Sequence, residues 1–291
     1  MKYVLLVSAM VLHLATHATA TTLSGGFFSG TGAESRASSN YAVTDTLGQF
    51  VVDESSSTSF RVEHGFWHSD IHIASIAELK QTPNNNQVVA YAKIVSAGND
   101  DLLKEFYLQE QDRTNGIRVN VGNNTSIHVS AGDMVDVSGV IKGTAIARYI
   151  DYPVVTVRFP QVAQLGAFFM SNRWLGGNGT DVLVSGGAGA PNTSLLVQTS
   201  GRVTYVDTAT PQKFFYIDDG SGLSDGSTLD GEPVMGLRVT ITSLATGNAI
   251  TPPFVGQYVT VTGICIPQSV TGRILAQVRP RNQDDIRVIE E

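Results

Sequence analysis

Two sets of side chains in this sequence combine an aromatic ring with cations in the same order. The first is Lys93, Tyr107 and Arg118; the second is Arg202, Tyr216 and Arg238. A tyrosine ring between cations suits stacking of a base or sugar ring, with the charges holding a phosphate or polar edge. One base–aromatic stack contributes roughly 1–3 kcal/mol. The same residue types also have a purely structural use, because a cross-strand Tyr–Arg pair on the outer positions of a sheet stabilises it by about a few tenths of a kcal/mol.

Other groups in the sequence also have types suited to chemistry. His64, His68 and His72 are spaced four apart with Asp70 among them, a spacing that shares one face of a helix and suits metal ligation. The intervening Gly65-Phe66-Trp67 and the alternating Ile71 and Ile73 favour strand or turn instead, and three imidazoles must converge before they bind a metal. The acidic run 218–232, DDGSGLSDGSTLDGE, offers oxygen ligands of the kind calcium takes. It lacks the spacing of an EF-hand loop, so a solvated acidic loop is the expectation. No phosphate-cradling loop is present. His128 has no obvious partner, and Cys265 lies in the apolar run GICIP and reads as an inert core thiol. The expectation is no catalytic residue, no metal ligand and no cofactor.

These side chains must be positioned by strands. A block of short apolar-alternating segments occurs at 88–95, 105–110, 116–121, 133–141 and about 153–159, and its order returns later in the chain. YAKIVSA (91–97) matches SGRVTYV (200–206), and EFYLQE (105–110) matches FFYIDD (214–219). GIRVNV (116–121) matches GLRVTI (236–241), and AGDMVDVSGV (131–140) matches VGQYVTVTGI (255–264), with Gly132 and Gly139 as far apart as Gly256 and Gly263. The later copy carries an insertion, GLSDGSTLDGEPV (222–234), between its second and third strands. Alternation along a strand sends neighbouring side chains to opposite faces. With Phe106, Leu108, Ile117 and Val119 inside a core, Tyr107 and Arg118 point away from it, and Lys93 follows beside Ile94. The same argument places Arg202, Tyr216 and Arg238 outside the second core. A capping box at Ser75 and Glu78 starts one short helix, which Pro83 ends.

Five short strands with glycine-marked turns fit a small closed barrel, which leaves few unprotected edges; an immunoglobulin-like sandwich is the alternative on strand spacing. The segments SIAELKQTPNNNQVVAYAKIVSA, FYLQEQDRTNGIRVNV and GDMVDVSGVI, with GRVTYV, FFYIDDGSGLSDG and GQYVTVTGI in the second copy, resemble OB-fold domains attached to secreted bacterial nucleases and related exported proteins. The resemblance implies an all-β chain of two five-stranded Greek-key barrels in tandem, with the first three strands of each forming the ligand face. No nuclease catalytic domain accompanies them. The organisation expected is a signal peptide at 1–20, a Ser/Gly-rich β-hairpin segment at 21–70 with arms near 40–43 and 59–62, one barrel at 71–160, a Gly-rich connector at 161–194 and a second barrel at 195–291.

Lys2, the apolar run from Tyr3 to Leu14 and the A-x-A of Ala18-Thr19-Ala20 carry the signal-peptide reading; that run is too short for a bilayer core of about 30 Å. A short "T-L-G-Q … G-F-W" element at 46–67 resembles one near the start of many exported bacterial proteins. The formal charge is −7, and loss of Lys2 with the leader lowers it by one to −8, which argues against tight non-specific binding to nucleic-acid backbones. The resulting expectation is a secreted, periplasmic or cell-surface binding module without enzymatic activity and without a membrane span after cleavage. Single-stranded nucleic acid is the first candidate partner; the alternative is a structural or adhesion protein that binds glycan or a surface protein. A positive groove on the three-strand face favours the first, and an exposed apolar patch at Phe66-Trp67 or Phe168-Phe169 favours the second.

Overall fold

The computed structural model describes four strands within 33–64 and then residues 74–290, apart from 144–146, 163–164, 178–183, 186–188, 230 and 271. The chain divides into two compact units, Met1–His72 and Ile73–Glu291. In the first, β1 (Ala33–Ala37) pairs antiparallel with β2 (Ala42–Thr46), and β3 (Asp53–Ser56) with β4 (Arg61–His64). The arms expected near 40–43 and 59–62 therefore close separate hairpins, each with its own sequence neighbour. Short connections are the reason: an antiparallel partner a few residues away costs less loop entropy than a more distant one.

The second unit opens with α1 (Ile76–Gln81), where the Ser75 hydroxyl accepts from the Glu78 N–H and the Glu78 carboxylate accepts from the Ser75 N–H. Five strands follow: β5 (Gln87–Ala97), β6 (Glu105–Gln109), β7 (Gly116–Asn120), β8 (Met134–Gly143) and β9 (Arg148–Phe159). They close into a barrel in the order β5-β6-β7-β9-β8, and the β7–β9 pairing is parallel. Strand β9 begins before the expected 153 because the ladder to β8 continues past Pro153 through a bulge between Ser138 and Val140. A bulge is one of the few places where a sheet tolerates proline.

After β10 (Phe168–Phe169) the second copy repeats this order. Its strands are β11 (Leu196–Asp207), β12 (Phe214–Asp218), β15 (Leu237–Thr240), β16 (Tyr258–Val270) and β17 (Arg273–Arg279). The short hairpin β13 (Thr228–Leu229) and β14 (Glu232–Pro233) occupies the insertion, and β18 (Ile286–Glu290) adds to β16. The pairings β11–β12, β12–β15, β15–β17, β17–β16 and β16–β11 form a second ring, and here too the third and fifth strands run parallel. The described residues are thus all-β apart from short helical turns, with two barrels of one topology in tandem. Among the described residues no helix is long and apolar enough to cross a membrane.

Each barrel has its own core. Phe106, Leu108, Ile117, Val119, Val135, Val137 and Ile150 fill the first; Val203, Phe215, Ile217, Leu237, Val239, Val261 and Cys265 fill the second. Burial pushes the Cys265 thiol up to about 12. The repeated glycine spacing has a steric origin. Gly132 and Gly256 enter the fourth strand of each barrel with φ of 94° and 99°, a region that favours glycine. Seven residues later the backbone of the fifth strand crosses closely: a Cβ on Gly139 would lie 2.7 Å from the Asp151 carbonyl oxygen, and one on Gly263 would lie 2.5 Å from that of Arg279.

Candidate ligand-binding faces

In both barrels the tyrosine and its arginine lie outside the two main cores: Tyr107 pairs across the strands with Arg118, and Tyr216 with Arg238. The outer face of the first barrel is nevertheless not open. Tyr107 is 3 % exposed and packs with Ala97 and Leu102 against Leu196 and Ile264 of the second barrel. Around that cluster the backbones join. Leu102 bridges Leu244, the Leu103 N–H donates to the Ser243 carbonyl at 2.8 Å, and the Ala245 N–H donates to the Asp101 carbonyl at 2.9 Å. Leu196 N–H donates to the buried Gln109 Oε1 at 3.0 Å. Burial, with the Glu105 carboxylate nearby, raises the Tyr107 phenol well above its ordinary range.

The cations of the first set are engaged as well. Lys93 Nζ lies 2.9 Å from both Glu110 oxygens, and Glu110 also accepts the Ile76 N–H at the start of α1. Arg118 donates to Glu105 Oε2 at 3.2 Å and lies over the Tyr149 ring, 4.6 Å from its centroid. The other oxygen of Glu105 accepts from Arg279 of the second barrel. One carboxylate thus ties together an arginine from each barrel. Close by, Arg281 donates to Asp285 and to the Ser96 carbonyl of the first barrel.

In the second barrel the three-strand face is covered by the insertion. Tyr216 has no exposed surface. Its hydroxyl donates to Asp225, and it clusters with Phe214 and Val234. Burial first, and then the bond to Asp225, push its pKa up to about 12. The Arg238 guanidinium sits 3.7 Å above the Phe214 ring. The expectation of two open stacking platforms on Tyr107 and Tyr216 is therefore corrected: one ring is covered by the partner barrel and the other by residues 222–234. The acidic run is partly built into the fold through the buried Asp225, while Asp219, Gly220, Gly226, Gly231 and Glu232 remain exposed as expected of a solvated loop. Asp225 serves Tyr216 and the Ser227 N–H, Asp219 accepts from Asn172 and Ser221, and Asp218 accepts from Gly220. Among the described residues no group of three or more His, Cys, Asp or Glu gathers as a metal site; His68, Asp70 and His72 lie outside the described residues, as do the side chain of His64 and Phe66-Trp67.

Arg202 alone of the six is exposed. It occupies the place of Lys93 and faces Asp218 across the strands, but Asp218 has a shorter side chain than Glu110 and accepts from its own turn. Arg202 instead donates to the Gly256 carbonyl at 3.2 Å. Directly opposite on β16 is Tyr258, and one row further along lie Ser200, Thr260 and Arg287. Phe254, 78 % exposed, lies in the turn with Gln257 that leads into β16. Sequence reasoning missed Tyr258 and Arg287 because it looked to the first three strands, whereas this face is built from the first, fourth and appended strands.

A second open feature is concave. Where the connector passes the β6–β7 turn, Phe168, Met170, Trp174 and Leu195 line a cavity of about 430 Å³ with Asp112 and Arg113 at its edge. Trp174 is 52 % and Phe169 67 % exposed. The turn carrying Trp174 is held by Asn192, whose side chain accepts from the Gly176 N–H and donates to the Trp174 carbonyl.

No known protein family matches the chain, and no curated protein matches it. Among solved structures it is similar to that of a murine DNA-binding protein bound to double-stranded DNA, with 11 % identity and a TM-score of 0.33 over 71 % of this chain and 100 % of that one. A likeness at that level leaves the ligand open.

Proposed function

We propose that the chain is an exported, non-enzymatic binding module, secreted or held in the periplasm or at the cell surface, that takes single-stranded nucleic acid on the outer face of its second barrel. The supporting observation is the open row Arg202–Tyr258, with Arg287 one row away and Phe254 in the turn that leads into β16. Tyr258 and Phe254 offer ring faces that accept any base, each worth roughly 1–3 kcal/mol. Two arginines reach two phosphates, which for a single strand gives a log–log salt slope of about −1.4. The overall charge of −7 keeps such binding modest and local.

The test is fluorescence anisotropy of a labelled oligothymidylate with the full chain at low and moderate salt. Tyr258→Ala weakens binding about tenfold, and Arg202→Ala/Arg287→Ala removes most of the salt slope. Absence of binding at low salt refutes the reading. A second reading, a surface protein recognising glycan or protein through its loops, is favoured by the exposure of Phe169 and Trp174.

A further inference from the structure

From the cavity beside Trp174 we infer a carbohydrate site that seats one pyranose ring of a neutral oligosaccharide. The inference rests on the second reading above and is independent of the first. The indole is half-exposed and held in place. Besides the Asn192 anchor, Gly189 lies against its six-membered ring: a Cβ there would fall 2.5 Å from Cε3 and Cζ3, and the φ of 78° also favours glycine. Fixing the ring before binding removes part of the ordering cost that a ligand otherwise meets.

The lining suits a sugar by its division into two parts. Phe168, Met170 and Leu195 supply apolar walls, and the Trp174 face carries the negative side of its quadrupole, which attracts polarised C–H groups. One face of a pyranose presents such C–H groups, while its rim presents hydroxyls. At the rim of the cavity, Thr114 donates to Asp112 from its N–H at 3.0 Å and its hydroxyl at 2.7 Å. Both bonds end on Oδ1, leaving Oδ2 for a hydroxyl donor, and hydrogen bonds to a charged acceptor are roughly twice as strong as neutral ones. Those bonds hold the Asp112 carboxyl below its usual range, so it stays ionised. Arg113 also lines the cavity, its guanidinium 4.3 Å from the Phe168 ring centroid and donating to the Gly166 carbonyl. The rim therefore sets a carboxylate acceptor beside a guanidinium donor, a pair that suits the hydroxyls of a sugar.

The experiment uses the full chain carrying Trp67→Phe, so that emission reports Trp174 alone, titrated with cellohexaose, chitohexaose, mannohexaose and, separately, an oligothymidylate. The expected result is a saturable emission change with at least one hexasaccharide, weakened about tenfold (~1.4 kcal/mol) when binding is read by calorimetry on Trp174→Ala. Trp174→Phe retains part of the affinity, and Asp112→Asn loses several-fold. Far-UV circular dichroism of these variants is unchanged, since Asp112 is exposed, Trp174 half-exposed and neither lies in a barrel core. If none of the three sugars binds at millimolar concentration, the site is refuted. Sugar binding that survives Trp174→Ala also refutes it, while leaving surface recognition of glycans standing elsewhere on the chain. Quenching by the oligothymidylate alone makes the cavity a base site and overturns the inference.

Discussion

Glu105→Gln is the sharpest probe of how the two barrels are joined. Glu105 and Arg279 have side chains only 11 % and 8 % exposed, so removing the carboxylate leaves a guanidinium nearly out of water without its counter-charge. Breaking a buried pair from one side costs roughly 3–5 kcal/mol. The amide keeps one acceptor oxygen and the shape, which recovers part of that loss. Arg118, about a third exposed at 32 %, adds less than about 1 kcal/mol. The expected net loss is ~2–4 kcal/mol. Urea unfolding followed by far-UV circular dichroism measures it, with the slope showing whether the barrels still unfold together. Pairing the change with Arg279→Met completes a double-mutant cycle: the double variant should be more stable than the sum of the singles by about 1 kcal/mol or more. Strict additivity, or a loss below ~1 kcal/mol, would refute the claim that this carboxylate couples the barrels.

Two further outcomes follow from the same geometry. The Tyr216 phenol has a folded pKa of about 12 against an ordinary 10.0, so the folded state holds its proton more tightly. Its contribution is complete below pH 10 and is lost as pH rises from 10 toward 12; the thermal midpoint of Tyr216→Phe should fall less steeply over that range than that of the unsubstituted chain, and parallel curves would count against it. Gly139→Ala puts a methyl 2.5 Å from Ile150 Cγ2 and 2.7 Å from the Asp151 carbonyl oxygen. Overpacking of that kind costs about 1–3 kcal/mol, whereas Gly122, with open space around it, bears a side chain limited only by its backbone angle; equal urea midpoints for the two alanine variants would show that the crossing is looser than described.

Much of the scaffold was readable from residue order. The alternation around Phe106–Leu108 and Phe215–Ile217 sorted inside from outside, because a strand sends successive side chains to opposite faces whatever surrounds it. The equal spacing of glycines 132 and 139 and of 256 and 263 tied the two copies together, and the structure then showed why the second of each pair is glycine. The Ser75–Glu78 box placed the helix start, being a contact between neighbours in sequence. In the first unit, the arms expected near 40–43 and 59–62 do not pair with each other, because local pattern identifies a strand without naming its partner.

What lay outside the barrels was decided by tertiary structure. Alternation showed that Tyr107 and Tyr216 leave the cores, and it carried no information on what meets them there. Leu196 and Ile264 cover the first, from about 90 to 160 residues along the chain, while Asp225 and Val234 cover the second from an insertion that composition marked as acidic loop. Conversely, Arg202 with Tyr258, and Trp174 with Asp112, become neighbours only when the second ring closes and the connector crosses the first barrel. Composition, charge and period are properties of a chain read locally; exposure is a property of the surfaces that remain after packing, and it is exposure that separates a binding residue from a structural one.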